Sequence, residues 1–137
     1  GFYYLKSRKY IDIRSKGNDY EIRLTEKGKK RIKKLEIDIL NIPKPFVWDN
    51  KFWMVAADIP TKQFRAGADA LRSKLKQMNF YSLQRTMWFY PYNPSNEIEI
   101  ITKVYIIDRF VTVMKIAKMD PADERVLIKY FKEVNVI

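Results

Sequence analysis

The spacing of apolar residues along the chain switches repeatedly between two and three-to-four, and each switch marks an expected element. Tyr10 to Ser15 and Tyr20 to Leu24 alternate or concentrate β-branched and aromatic side chains. Between them "KGND" offers positive φ at Gly17 and Asn18, so the two runs read as a β-hairpin. Thr25 stands where an N-cap belongs, Glu26 falls in a first turn, and Ile32, Leu35 and Ile39 mark one apolar face of a helix. "NIPKPFVWDNK", with two prolines in three residues, reads as a linker. Phe46 and Trp48 within it are expected to pack down, because exposing such rings forgoes about 1.5–3 kcal/mol each.

From Lys51 the pattern becomes strand, helix, strand, helix, strand. Phe52 to Asp58 is apolar on both faces and belongs in the middle of a sheet. Pro60 and Thr61 then open a helix whose Phe64, Ala68, Leu71, Leu75 and Met78 form one buried stripe. Phe80 to Tyr92, dense in aromatics and closed by Pro91, reads as one long strand or two meeting at a bend. Asn93-Pro94 and Asp120-Pro121 each place a capping side chain before a proline. They start helices bearing Ile98, Ile101, Val104 and Tyr105, and Val126, Leu127, Tyr130 and Phe131. Phe110 to Lys118 lies between them as a strand, and the closing "VNVI" has the composition of a short one. The order β-α-β(β)-α-β fits an α+β class: a split βαβ, ferredoxin-like sandwich with helices on one face of an antiparallel sheet. Residues 51–137 form this domain and 42–50 the linker.

Composition narrows the chemistry. The 137 residues contain no cysteine and no histidine, which excludes disulfides, thiolate metal sites and histidine-based acid/base catalysis. The apolar run Phe52 to Ala57 is far shorter than the roughly 20 residues that span a bilayer, and no signal-peptide pattern opens the chain; a cytoplasmic protein without a membrane partner is expected. Charge is the strongest signal, at 27 Lys+Arg against 16 Asp+Glu, a net +11. Residues 1–51 hold 14 of the basic and 7 of the acidic side chains. Such a surface favours nucleic acid, because neutralised phosphates release condensed counterions. A solvated basic face would read the same way in the run "KGKKRIKK", where Lys29, Lys30, Arg31 and Lys33 are the candidate phosphate contacts. Arg65 lies among the cations of the next helix, opposite its apolar stripe.

At "WDNKFWMVAADIP" and "LRSKLKQMNFYSLQRTMWFYPY" the chain resembles the central domain of the PaaX-type transcriptional regulators, itself similar to the small CRISPR adaptation protein Cas-two. Asp58-Ile59-Pro60, Leu83-Gln84 and Tyr90-Pro91-Tyr92 carry the likeness, over about residues 47 to 118. The hairpin and "LTEKGKKR" resemble the wing and closing helix of a winged helix-turn-helix. Residues 1–41 are therefore expected to form a partial winged-helix module, with "GFYYLKSRKY" as the end of a recognition helix at most and the preceding helices missing. The resemblance implies a transcriptional repressor that binds double-stranded DNA as a homodimer, with wing residues Arg14, Lys16 and Arg23 touching phosphates.

In the Cas-two-like proteins the acid ending the first strand is the proposed metal ligand and catalytic residue, two copies facing across a dimer. Here that position is Asp58. The resemblance thus admits a Mg²⁺-dependent endonuclease as the alternative to a repressor that requires no cofactor, and a non-catalytic dimerisation module as a third reading. The residues also allow Asp58 a structural part, accepting backbone N–H bonds where the Pro60-Thr61 helix starts. Phe89 stands where Cas-two proteins often carry Glu. Arg85, in the polar break of the aromatic strand, is a candidate partner for Asp58 or a phosphate; Trp88, Phe89, Tyr90 and Tyr92 fit a core better than a base-stacking surface.

Overall fold

The computed structural model describes residues 2–137, with side chains from Tyr4 onward. They divide into two compact units, one ending at Ile39 and the other spanning Leu40–Ile137. Gly1, the first residue of the expected recognition-helix remnant, lies outside the described residues.

The first unit runs α1 (Phe2–Ser7), β1 (Ile11–Lys16), β2 (Asp19–Leu24) and α2 (Glu26–Asp38). β1 and β2 are an antiparallel hairpin in which Ile11 faces Leu24 and Ile13 faces Ile22, with Gly17 at φ 64° in the turn. Thr25 caps α2: its hydroxyl accepts from the Gly28 N–H at 3.0 Å and donates to the Lys9 carbonyl at 2.6 Å. Gly28 lies so close to the Tyr10 carbonyl that a Cβ there would stand 1.9 Å from its oxygen. Ile37 is the buried apolar residue of α2. The face expected from Ile32, Leu35 and Ile39 stays exposed, Ile39 to 80%.

The second unit contains β3 (Phe52–Ala57), α3 (Thr61–Gln77), β4 (Tyr81–Gln84), β5 (Met87–Tyr90), α4 (Ser95–Val104), β6 (Val111–Ile116) and α5 (Pro121–Glu133). Its sheet has the order β4-β5-β3-β6 with every neighbouring pair antiparallel. β3 and β4 therefore run the same way with β5 between them, and β5 and β6 the same way with β3 between them. These are two interleaved split βαβ units, the ferredoxin-like arrangement. The aromatic segment resolves into two strands turning at Arg85-Thr86.

Helices on one face alone do not describe this sheet. Cross-strand register puts Phe52, Met54, Phe89 and Tyr81 on one face and Val55 and Trp88 on the other. α3 lies over Ala57 and Trp88. α5 stacks Phe131 on Phe52 and sets Tyr130 against Tyr81 on the opposite face. A central strand apolar on both sides needs this double cover. Val55, Leu71, Leu75, Ile101, Ile107, Leu127 and Phe131 form the innermost core. Trp88, Phe89, Tyr90 and Tyr92 are all buried, which removes them as base-stacking surfaces.

All three α-helices of the second unit end in one device. Asn79, Ile106 and Asn135 take positive φ just past α3, α4 and α5, and the following N–H bonds back to Leu75, Thr102 and Phe131 respectively. The closing "VNVI" is consequently not a strand: Asn135 turns the chain, Val136 is buried, and its carbonyl accepts from the Tyr92 hydroxyl at 2.9 Å. Of the two linker rings only Trp48 packs down, donating its indole N–H to the Lys51 and Pro91 carbonyls and meeting Phe52 edge-on. Phe46 is fully exposed.

Candidate functional site

Two regions gather the residues singled out by sequence. In the first unit, register decides what the hairpin offers. Asp12 faces Arg23, Arg14 faces Glu21 and Lys16 faces Asp19, so every cross-strand pair on one face joins opposite charges. Arg23 Nε lies 2.8 Å from Glu21 Oε1 and Arg14 Nε 3.7 Å from Asp12 Oδ2. That face neutralises itself. The other carries Tyr20, Ile22 and Leu24, all exposed.

α2 is different. Its Thr25 cap and the close Gly28–Tyr10 approach fix the start of the helix, and from there the sequence spaces cations at Lys27, Lys29, Lys30, Arg31, Lys33 and Lys34. Lys29 pairs with Glu26 at 3.3 Å, and the Lys27 ammonium lies 5.1 Å from the centroid of the Tyr10 ring. Among the described residues Lys30, Arg31, Lys33 and Lys34 have no acidic partner, and all are exposed. This helix is where unneutralised positive charge concentrates.

In the second unit, a cleft of about 320 Å³ opens at the C-terminal end of β3. Its walls include Asp58, Thr61, Arg72, Arg85 and Thr86 over a floor of Ala68, Leu71 and Leu75. The backbone holds Asp58 from both sides: its N–H donates to the Phe110 carbonyl at 3.1 Å, while the adjacent Ala57 N–H donates to the Thr86 carbonyl at 2.9 Å. The carboxylate is exposed and, among the described residues, makes neither a hydrogen bond nor an ion pair. α3 begins at Pro60 with no side-chain cap, so the capping role open to Asp58 is not taken up. Arg85 shares the cleft without pairing to Asp58. Arg65 stands outside it, one residue beyond the non-helical Phe64 that kinks the first turn of α3. Sequence places Arg72 with Arg65 among the cations opposite the apolar stripe of α3, and Thr86 beside Arg85 in the polar break, without making any of them part of a site with Asp58; the structure brings Arg72 into the cleft. The signal for Arg72 was its place beside Leu71 on α3, with the pairing of Ala57 and Thr86 bringing the β4–β5 turn opposite.

As a metal site the cleft is poorly furnished in one chain. A single carboxylate beside two arginines does not match the oxygen-rich set Mg²⁺ takes, and among the described residues no group of three or more Asp, Glu, His or Cys assembles anywhere.

A comparison with family models returns the PaaX protein central Cas2-like domain, over residues 45–128, more than half of the chain, and the ferredoxin-like sheet order is consistent with it. The chain belongs to the PaaX family. No curated protein matches it. The PaaX match takes in Asp58, Arg65, Arg72 and Arg85 but stops short of the hairpin and α2, so the basic helix stands on its own geometry. Among the described residues of this PaaX-family chain no helix is long and apolar enough to cross a membrane.

Proposed function

We propose that the protein is a DNA-binding transcriptional regulator of the PaaX kind, a repressor that grips duplex DNA chiefly through α2. The observation that carries this reading is the row of unpartnered cations on α2, Lys30, Arg31, Lys33 and Lys34, in a chain whose second unit belongs to a regulator family. Unpaired lysine and arginine on an exposed helix release counterions from phosphates and position a protein on DNA without reading its sequence. The hairpin, likened to a wing, contributes little net charge because its arginines already face acids. The ferredoxin-like unit serves as the homodimerisation element, doubling the DNA contacts. An endonuclease of Cas-two type needs two Asp58 carboxylates brought together by such a dimer; one chain supplies one. A reporter driven by the protein's own promoter tests the repressor role: output rises when the gene is removed and falls again when it is restored. Unchanged output in both states contradicts it.

A further inference from the structure

The cleft between the Pro43–Pro45 segment and the start of α4 holds a carboxyl group that no other side chain among the described residues answers. Glu97 is only 8% exposed, in the first turn of α4, and among the described residues it has no hydrogen-bond or ion-pair partner. Among the described residues no partnerless side-chain oxygen is sealed from solvent, so the Glu97 carboxylate opens into the cleft it lines, a space of about 400 Å³. Local explanations are closed off. A glutamate three residues into a helix ordinarily reaches back to the N-cap amide, but the N-cap here is Pro94, which has none. The Ser95 N–H is taken by Asn93 Oδ1 at 3.0 Å. Lys44 lines the same cleft, yet its ammonium donates to the Asn135 carbonyl at 3.1 Å and forms no ion pair with Glu97. The helix dipole alone favours the charge.

A second observation lies beside it. Pro45 and Asn93 line both this cleft and a neighbouring one walled by Val47, Trp53 and the Lys115–Asp49 ion pair. Phe46, at 106% relative exposure, and Val47 project from the strip between. A buried acid and an uncovered apolar strip are thus continuous.

We propose that this surface docks an extended segment of a partner protein, placing a lysine or arginine head against Glu97 and an adjacent apolar side chain over Phe46 and Val47. The methylene stem would run along Pro43 and Pro45 while the charged head pairs with the carboxylate, the division of labour that long basic side chains favour. A bare metal ion fits less well, since the Asn93 amide oxygen already accepts from the Ser95 N–H and hydroxyl. The proposal does not rest on the DNA-binding reading.

The test is amide-resolved NMR titration of the whole chain with two probes: N-butylguanidinium, and the acetylated, amidated dipeptide leucyl-arginine. The expected result is a saturable shift at Asn96 and Glu97 with both probes, Phe46 and Val47 moving only with the dipeptide. The dipeptide binds at least about tenfold more tightly, as burial of one leucine side chain implies. Glu97→Gln abolishes both shifts, and Phe46→Ala, at a fully exposed position, weakens the dipeptide alone. Equal affinity for the two probes overturns the docked segment in favour of a free organic cation. Shifts that persist in Glu97→Gln, or that match those of sodium chloride at equal ionic strength, overturn the site.

Discussion

Asp58 and Ile106 show how differently single residues carry the fold. Asp58 was legible as an acid at a strand end, but whether it caps the following helix depended on hydrogen bonds that no spacing reveals. Its exposed, unpaired carboxylate predicts that Asp58→Asn changes stability by no more than about 0.5 kcal/mol in urea unfolding. A loss near 1 kcal/mol would mean that it caps α3 after all. Ile106 is the opposite case. It ends α4 at φ 56°, a left-handed conformation that is costly for a β-branched residue, and its side chain is largely exposed. Ile106→Gly is therefore expected to stabilise the protein by roughly 1 kcal/mol, read as a higher urea midpoint at unchanged slope. A destabilised variant would show that the side chain matters more than the strain. The two asparagines in the equivalent places, Asn79 and Asn135, adopt this conformation at less cost. The β-branched composition of "VNVI" suggests a strand, but the asparagine between the valines outweighs it by turning the chain.

Among elements, the hairpin and α2 were both legible, and their apolar spacing located them within a residue or two. Charge pairing was not, because it depends on register. Sequence makes Arg14, Lys16 and Arg23 equal to Lys30 and Lys33 as cations; only the facing of Arg14 with Glu21 and Arg23 with Asp12 separates them. Neutralising Lys30 and Lys33 together should flatten the log–log salt dependence of DNA binding by roughly 2, about 0.9 for each phosphate no longer neutralised. Arg14→Gln with Arg23→Gln should change it by less than about 1 in total. Fluorescence anisotropy across a salt series measures both. A larger change from the hairpin pair would move the phosphate contacts from α2 to the hairpin. The ferredoxin-like sheet was legible for a related reason. Phe52–Ala57 lacks alternation, so it had to lie centrally, and Asn93-Pro94 and Asp120-Pro121 marked both helix starts, although only Asp120 is the capping residue and α4 is capped at Pro94 without a side-chain bond. The same lack of alternation already called for cover on both faces, which α5 supplies.

At the scale of the whole molecule, a net charge of +11 resists self-association while the ferredoxin-like unit is assigned the task of dimerising. The outcome should depend on salt: sedimentation at micromolar protein is expected to show a dimer that strengthens as ionic strength rises and screens the repulsion. A strict monomer throughout would remove both the doubled DNA contact and any site built from two Asp58 carboxylates. DNA binding runs the other way, weakening with salt. The most direct measurement of the central claim is the affinity of the full-length protein for its own promoter duplex against a random duplex of equal length, by anisotropy at physiological salt. A repressor binds its promoter at least about 10³-fold more tightly than random DNA, with both affinities falling as salt rises. Equal affinity for the two duplexes would contradict the account.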